Sequence, residues 1–230
     1  MGYNNDSLAD ISPIVCDIET CGLPNAADYL DPVQPAKNLV DPAKIQADIE
    51  KRTAERDEKL ALDWNVGRIV ALAFWTEQTG TLVHLAQDED GERTALTRFW
   101  SACRNRTIVG FHVKGFDLKF MIQRSRYLGI AYPTLDLGKY TRTGIIDLFS
   151  ELTFNDGTYD QGAMRRTLKA FAKRFGLPVT DTINGADIPA LVHFGEWEQV
   201  AAHVTADVDL TVALARKLGV LQSVPETVTP

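Results

Sequence analysis

The chain has 230 residues, of which 45% are hydrophobic and 24% are charged, a composition close to that of an ordinary globular domain. Its 24 Lys and Arg against 31 Asp and Glu give a formal charge of −7, which at first argues against a polyanionic partner such as nucleic acid. No apolar run reaches the roughly 20 residues that a membrane span needs, and the N-terminus lacks the features of a secretory signal. The three cysteines show no CxxC spacing, so we expect reduced thiols in a cytoplasmic protein that contacts no membrane.

The first part of the chain predicts a buried strand, a loop and a charged helix. Residues 12–19 form an apolar run with β-branched side chains, which favours a strand. Residues 22–40 are rich in Pro, Asp and Asn and predict a loop. Asp41 and Pro42 then supply an N-cap and a first-turn proline for a charged helix, an insertion at about 41–62. Its apolar stripe is thin, so we expect the helix to lie on the surface.

From Arg68 onward, strands and helices alternate. Two apolar runs flank Thr79-Gly80 and predict a β-hairpin. The segments that follow predict helices at 94–106, 116–129, 164–176 and 196–219, a strand at 107–113 and a short strand or turn at 144–149. Residues from about 222 to 230 predict a loose tail. A β-meander followed by alternating helices and strands indicates a mixed sheet with helices on both faces.

Asp17 and Glu19 are the first candidate site residues. Side chains alternate along a strand, so the two carboxylates face the same side. Neighbouring carboxylates repel each other and raise each other's pKa, and a divalent cation with oxygen ligands removes that repulsion. Acidic pairs two residues apart occur seven times in the chain, mostly as solvated faces or turns, but only this pair ends a strongly apolar strand. We therefore favour metal binding over a solvated pair.

Two further carboxylates have ordinary explanations when each is considered alone. Asp117 opens a predicted helix, where an Asp is often only a cap or a partner of the helix dipole. Asp207 lies in the last predicted helix, one turn after His203 on the same face, and the alternative is a partly exposed helix with a simple His–Asp contact. Asp209 points about 200° away from Asp207, so we expect it to be solvated.

In order, the chain contains CDIETCG, VGFHVKGFDLKFM and HVTADVDLT. These segments resemble the three motifs of DEDD-type (DnaQ-like) 3′–5′ exonucleases of the RNase H-like superfamily. IIDLF and TLKAFAKRFGLP resemble the spacers of that family, and ADIPALVHFGEWEQVAAHVTADV is similar to predicted exonucleases related to the editing domain of family-B DNA polymerases. The charged insert followed by GRIVALAF is similar to small phage-encoded members. The resemblance covers residues 12–219.

The resemblance implies a single exonuclease domain over residues 1–230. Its α/β, RNase H-like fold would have a central five-stranded mixed sheet flanked by helices, with the inserted charged helix at about 41–62 beside the nucleic-acid cleft. The implied activity is hydrolysis of phosphodiester bonds at DNA 3′ ends, single-stranded or frayed, as in DNA replication and repair. One alternative is an RNA-directed 3′–5′ exonuclease. A second alternative is a non-catalytic nucleic-acid-binding or polymerase-accessory module, which the retention of all four carboxylates disfavours. A replicative polymerase is a candidate partner.

The resemblance also assigns roles to the site residues. Two Mg²⁺ or Mn²⁺ ions would be held by Asp17, Glu19, Asp117 and Asp207, with Asp17 as the bridging ligand. His203 would accept the proton of the attacking water, and an imidazole that titrates near pH ~6.5 suits this role better than a Tyr at ~10. Family members with a Tyr place it four residues before the last Asp, whereas members with a His place it five before. This chain combines the His with the four-residue spacing.

Candidate substrate contacts lie near the motifs and in two basic stretches. They include Thr20, Cys21, His112, Lys114, Phe116, Arg165 and Arg166. In the second motif an Asn often stands where His112 is, and a core role is an alternative for Phe116. Residues 104–142 hold eight Lys and Arg against two acids, and residues 164–175 hold five and no acid, so both stretches are candidates for phosphate contacts or for solvated helix faces. The net charge of −7 therefore hides a segregated distribution that is compatible with a nucleic-acid substrate.

Overall fold

The sheet is built from five strands. The computed structural model describes residues 12–138, 143–154 and 167–222. The strands are β1 (Ile14–Gly22), β2 (Gly67–Thr76), β3 (Gly80–Leu85), β4 (Ile108–Gly110) and β5 (Ile145–Asp147). Their order across the sheet is β3-β2-β1-β4-β5. The pairs β1–β2 and β2–β3 are antiparallel, whereas β1–β4 and β4–β5 are parallel, which confirms the predicted five-stranded mixed sheet.

Helices cover both faces of this sheet. Within the described residues they are α1 (Pro42–Asp57), α2 (Glu89–Ala102), α3 (Asp117–Tyr127), α4 (Leu148–Leu152), α5 (Leu168–Arg174), α6 (Ile188–His193) and α7 (Trp197–Lys217). Short 3₁₀ turns occupy Ala26–Tyr29, Leu60–Leu62 and Gly185–Asp187. None of the helices in the described ranges combines the length and the apolar character that a membrane span requires.

Alternation along β1 divides its side chains between two apolar cores. Ile14 and Ile18 are buried with side chains of α2 and α3 on one face of the sheet. Val15 is buried on the other face with side chains of α6 and α7. By the same alternation, Asp17 and Glu19 fall on the second face. The strand therefore presents both carboxylates toward α7, which packs against β1.

The charged helix α1 lies on the surface, as its thin apolar stripe predicts. None of its residues is buried, and the Asp41 carboxylate caps it by accepting from the backbone N–H of Ala43. The chain returns to the body at the 3₁₀ turn Leu60–Leu62, where the Thr20 hydroxyl donates to the Ala61 carbonyl at 2.5 Å. The insertion therefore ends beside the last residues of β1.

Other segments differ from the sequence predictions or extend beyond the described residues. β4 stops at Gly110 because the chain turns at His112, which has a positive φ of 61°. Helices α4 and α6 were not predicted, since five or six residues are too short to show a helical period. The helix predicted at 164–176 is described only from Leu168, and the tail predicted from about 222 lies almost entirely outside the described residues.

Candidate active site

The fold brings the motif carboxylates together at one edge of the sheet. β1 and β4 are parallel, so their carboxyl ends lie at the same edge. Glu19 lies toward the end of β1, and Asp117 begins α3 directly after the turn that follows β4. The Asp117 carboxylate accepts a hydrogen bond from the backbone N–H of Ile18 at 3.2 Å. The first and second motifs are therefore joined by a direct contact.

Helix α7 supplies the third motif. His203 Nε2 lies 3.1 Å from a Glu19 carboxylate oxygen and 3.9 Å from one of Asp207. One ligand atom from each of these three residues lies within 4.8 Å of the others. Because His203 and Asp207 are one turn apart on a helix, both face β1. The arrangement is a compact group of two carboxylates and an imidazole.

Burial and neighbouring charges raise the pKa values of the carboxylates in and beside this cluster. Burial raises the pKa of Asp17 well above its ordinary value, and the charges of Asp117, Glu19 and Asp207 raise it further. Burial raises the pKa of Asp117 to about 8, although hydrogen bonds from backbone N–H groups lower it. Burial also raises the pKa of Asp207 to about 6, against the lowering effect of the His203 and Lys169 charges. Without a cation, these carboxylates cannot all be charged at low energetic cost.

The donor set fits a divalent cation. One carboxylate oxygen of Asp207 is buried and has no hydrogen-bond partner within the described residues. Carboxylate oxygens are the ligands that Mg²⁺ and Mn²⁺ prefer. A cation among Asp17, Glu19, Asp117 and Asp207 would give this oxygen a partner and would offset the mutual repulsion. These are the four residues that the sequence singles out as ligands.

His203 is more enclosed than a simple His–Asp contact on a partly exposed helix would be. Its side chain is 2% exposed, and its Nδ1 lies 2.7 Å from an Asp181 carboxylate oxygen. Burial lowers the pKa of His203, but the hydrogen bond to Glu19, the charges of Glu19 and Asp207, and the bond to Asp181 together raise it to about 9. In the metal-free protein at pH 7, the ring is therefore a cation that donates to both neighbouring carboxylates.

Sequence reasoning missed Asp181, which orients this ring. The residue lies in the loop between α5 and the 3₁₀ turn at Gly185–Asp187, and no motif identifies it. Its carboxylate accepts from Lys169 Nζ at 2.6 Å and from the backbone N–H of Ile183 at 3.1 Å, besides its contact with His203. Burial raises the pKa of Asp181, but the hydrogen bonds from Lys169 and His203 outweigh this effect and lower it. Asp181 therefore remains a carboxylate that fixes the Nδ1 side of His203.

Asp147 is a second residue that the motifs did not identify. It is 4% exposed at the end of β5, and it accepts from the backbone N–H groups of His112 at 2.9 Å and Lys114 at 3.1 Å. The same carboxylate caps α4 through the N–H of Phe149 at 3.1 Å. It thereby fixes the turn that leads into Asp117. In IIDLF, the position of Asp147 predicts an N-cap for the residues that follow it. A local pattern cannot predict its contact with the turn after β4.

Comparison with known proteins identifies the reaction class. Residues 62–222 match the sequence family described as "Predicted 3'-5' exonuclease related to the exonuclease domain of PolB". The chain belongs to this exonuclease family. No protein among those with curated descriptions matches the chain.

A solved structure with the same fold belongs to a larger enzyme. The chain resembles the family B DNA polymerase from the hyperthermophilic archaeon Pyrobaculum calidifontis, with a TM-score of 0.59 and 19% sequence identity. The match covers 90% of this chain and 24% of the polymerase chain, so the chain spans about a quarter of that protein's length. At this identity the likeness shows the fold alone.

The family match and the geometry contribute different residues. The matched range contains Asp117, His203 and Asp207 but begins after β1. Asp17 and Glu19 join the site through the contacts described above, since Glu19 bonds His203 and the Asp17 charge interacts with those of Asp117 and Asp207.

Several candidate substrate contacts have their side chains engaged inside the fold. Thr20 is bonded to the Ala61 carbonyl, and Cys21 is buried in the apolar core, where burial raises the pKa of its thiol to about 11. Lys114 is buried and its Nζ donates to the Gly138 carbonyl at 3.3 Å. The Phe116 ring packs against the core, which agrees with the alternative hypothesis of a core role for this residue. Of these four side chains, those of Thr20, Cys21 and Lys114 are buried, and that of Phe116 is partly buried.

The remaining candidates divide between described and undescribed residues. The His112 ring packs edge-on against Phe149, with ring centroids 5.1 Å apart. Arg165 and Arg166 lie outside the described residues. Within the basic stretches, Lys169 is bonded to Asp181, and Arg124 is buried in a two-fold hydrogen bond to Glu92 with both distances 2.8 Å. Counting basic residues along the sequence could not separate such internal pairs from cations that are exposed to substrate.

Proposed function

We propose that this protein is a metal-dependent 3′–5′ exonuclease that removes nucleotides from DNA 3′ ends and favours single strands. The observation that carries the proposal is the buried cluster of Glu19, His203 and Asp207, with Asp17 and Asp117 beside it. Membership of the exonuclease family supplies the reaction class.

The four carboxylates Asp17, Glu19, Asp117 and Asp207 would hold two divalent ions, Mg²⁺ or Mn²⁺. Bound there, such ions supply Lewis-acid stabilisation for the negative charge that develops on the phosphate during hydrolysis. The pKa values of Asp17, Asp117 and Asp207, raised first by burial and then by the charges of neighbouring acids, support this assignment, because a cation stabilises the charged form of such carboxylates.

His203 is the candidate proton acceptor for the attacking water. While its Nε2 bonds Glu19, the ring keeps its proton. If Glu19 instead bound a cation, the interaction that raises the His203 pKa would weaken and Nε2 could accept a proton. Asp181 holds Nδ1 and thereby directs Nε2 toward the carboxylates, the arrangement by which a third group orients a general base.

Burial of the carboxylates supports the proposed preference for single strands. Glu19 is 7% exposed and Asp117 is 4% exposed, so a scissile phosphate must enter the fold to approach them. A duplex end would have to fray by one or more pairs before its 3′ nucleotide could reach that depth. A strand that is already unpaired avoids this cost.

The test uses 5′-labelled DNA and RNA oligonucleotides, single-stranded and duplex, with Mg²⁺ or Mn²⁺. We expect a ladder of shortened DNA that is lost in EDTA and in the Asp17→Ala variant. Asp209→Ala is the matched control, because Asp209 is an exposed acid that is bonded to Thr81, and it should leave the ladder intact. A ladder that persists in EDTA or in Asp17→Ala contradicts metal dependence, and shortening of RNA but not DNA contradicts the substrate assignment.

A further inference from the structure

A glycine borders the carboxylate cluster. Gly185 is exposed and begins the 3₁₀ turn Gly185–Asp187. A Cβ atom placed on this glycine would lie 3.9 Å from Glu19 Oε2. Apart from the two chain neighbours of the glycine, no other atom of the described residues would lie within 4 Å of that Cβ. The space between Gly185 and Glu19 Oε2 is therefore open.

The segment that contains Gly185 is fixed to the site on both sides of the turn. Shortly before the turn, the Asp181 carboxylate contacts His203 Nδ1 at 2.7 Å. Directly after the turn, Ile188 is buried in the apolar core, and α6, which begins there, packs against β1. These contacts hold Gly185 in place beside Glu19.

The backbone does not require a glycine at this position. Gly185 is not among the residues with a positive φ, and a Cβ at 3.9 Å from its nearest neighbour makes an ordinary van der Waals contact. Glycine loses more conformational freedom on folding than any other residue, so its presence here does not stabilise the turn. What the glycine provides is space next to Glu19.

The two oxygens of Glu19 have different surroundings. Oε1 lies 3.1 Å from His203 Nε2, inside the fold. Oε2 lies on the side of Gly185, which is exposed. No aromatic ring of the described residues lies within 4 Å of the Cβ position of Gly185, so no base could stack there. A carboxylate oxygen accepts a hydrogen bond from a hydroxyl group, so this space suits a sugar better than a base.

We propose that Gly185 is a specificity-determining residue, because its missing side chain leaves room beside Glu19 for the 3′-terminal nucleotide. The inference rests on the proposed function for the identity of that ligand. It adds a residue from outside the three motifs, and this residue acts by its small size and not by its chemistry.

Gly185→Val tests this inference. A β-branched side chain fills two of the three staggered positions, so it cannot be directed wholly away from Glu19. We expect kcat/KM for single-stranded DNA in Mn²⁺ to fall by about 100-fold, the effect of displacing a reacting group by about 1 Å. The loss should be equal for DNA that ends in each of the four bases. Gly185→Ala should retain most of the activity, because its Cβ makes only an ordinary contact.

Ala186→Val is the matched control, since it adds the same side chain at the next exposed position of the same turn. It should leave kcat/KM unchanged. Thermal unfolding distinguishes a blocked substrate from a damaged site. Mn²⁺ should raise the Tm of Gly185→Val as much as that of the wild type. Thymidine 5′-monophosphate added with Mn²⁺ should raise the Tm of the wild type and of Ala186→Val further, but not that of Gly185→Val.

The outcomes separate this inference from the proposed function. An unchanged kcat/KM in Gly185→Val, a loss confined to particular terminal bases, or a loss of the Mn²⁺ effect on its Tm would overturn the role of Gly185. A wild-type protein that does not shorten DNA contradicts the exonuclease proposal. If Gly185→Val still abolishes its stabilisation by thymidine 5′-monophosphate, the role of Gly185 stands.

Discussion

His203 is a histidine whose two ring nitrogens both face carboxylates, Glu19 on one side and Asp181 on the other. Such a ring has two candidate functions. In the metal-free protein it is the internal counter-ion of the acidic cluster, and during hydrolysis it is the candidate proton acceptor. The two functions require different protonation states of the same nitrogen, Nε2, and the state depends on whether Glu19 bonds the ring.

The first prediction tests the proton acceptor directly. His203→Ala should lower kcat for single-stranded DNA by about 100-fold or more, the usual contribution of a positioned general base. His203→Tyr should recover part of that loss, since a Tyr four residues before the last Asp is the arrangement of the other subclass. His193→Ala, at an exposed position on α6, serves as control. Full activity in His203→Ala would remove the base role.

The second prediction concerns the pH dependence of stability without metal. The pKa of Asp117 is raised from 3.8 to about 8, and that of His203 from 6.5 to about 9. A raised folded-state pKa gives stability that is fully present below the unfolded value and is lost as pH rises through the folded value. Both groups therefore act in the same direction between pH 6.5 and about 8, and His203 continues to act up to about 9, so we expect the Tm in EDTA to fall over the range from 6.5 to 9.

Thermal unfolding at several pH values in EDTA checks this expectation. Each 1 kcal/mol lost corresponds to a Tm decrease of about 2–4 °C in a protein of this size. Asp117→Asn should make the decline shallower, because the amide does not titrate. A Tm that is constant or that rises between pH 6.5 and 9 would contradict the assigned shifts.

At the level of elements, the turn between β4 and α3 decides where Asp117 lies. β4 has only three residues, and the turn after it passes through the positive φ of His112. Asp147 stabilises this conformation from the neighbouring strand by accepting from two backbone N–H groups of the turn. A short strand with little intrinsic stability is thus held in position by a carboxylate more than thirty residues later.

The third prediction is that Asp147→Ala destabilises the protein more than an ordinary cap substitution. It leaves several backbone donors of the turn and of α4 without an acceptor, which should cost about 3 kcal/mol. Asp88→Ala is the comparison, because Asp88 is an exposed N-cap of α2 that accepts from Gly91, and it should cost about 1 kcal/mol. Urea unfolding of both variants gives the two free energies, and equal losses would show that the contact with the turn contributes nothing.

For the molecule as a whole, we expect metal binding at the acidic cluster to stabilise the folded state. A divalent ion that binds only the folded state stabilises it by about 2.7 kcal/mol at a concentration of 100 times its Kd, so Mn²⁺ should raise the Tm by roughly 5–10 °C.

The fourth prediction is that Asp17→Asn has opposite effects with and without metal. In EDTA it should be more stable than the wild type, because it removes a buried carboxylate that three neighbouring acids repel. In Mn²⁺ it should gain less than the wild type, since a ligand is missing. Differential scanning fluorimetry in both conditions tests this, and a lower Tm for Asp17→Asn in EDTA would contradict the repulsion.

Local patterns in the sequence predict the fold, whereas the residues of the cluster were proposed from the resemblance to the exonuclease motifs. The apolar run that ends at Asp17 and Glu19, and the helical spacing of His203 and Asp207, are visible within a few residues. Asp147 and Asp181 act through contacts between distant segments, so no local pattern reveals them. A sequence also gives the charge or polarity of a side chain without showing whether an internal partner already binds it. This is the case for Thr20, Lys169 and Arg124.

The cluster draws its residues from β1 and from α7, which lie near opposite ends of the described chain. During synthesis, β1 therefore emerges early but has no partner for Glu19 until α7 has left the ribosome. Contacts between segments so far apart in sequence also form late in folding, because a long loop must close first. A chain that is interrupted before α7 would hold the acids of β1 without the rest of the cluster, so the cluster would be complete only after α7 has been synthesised and has packed against β1.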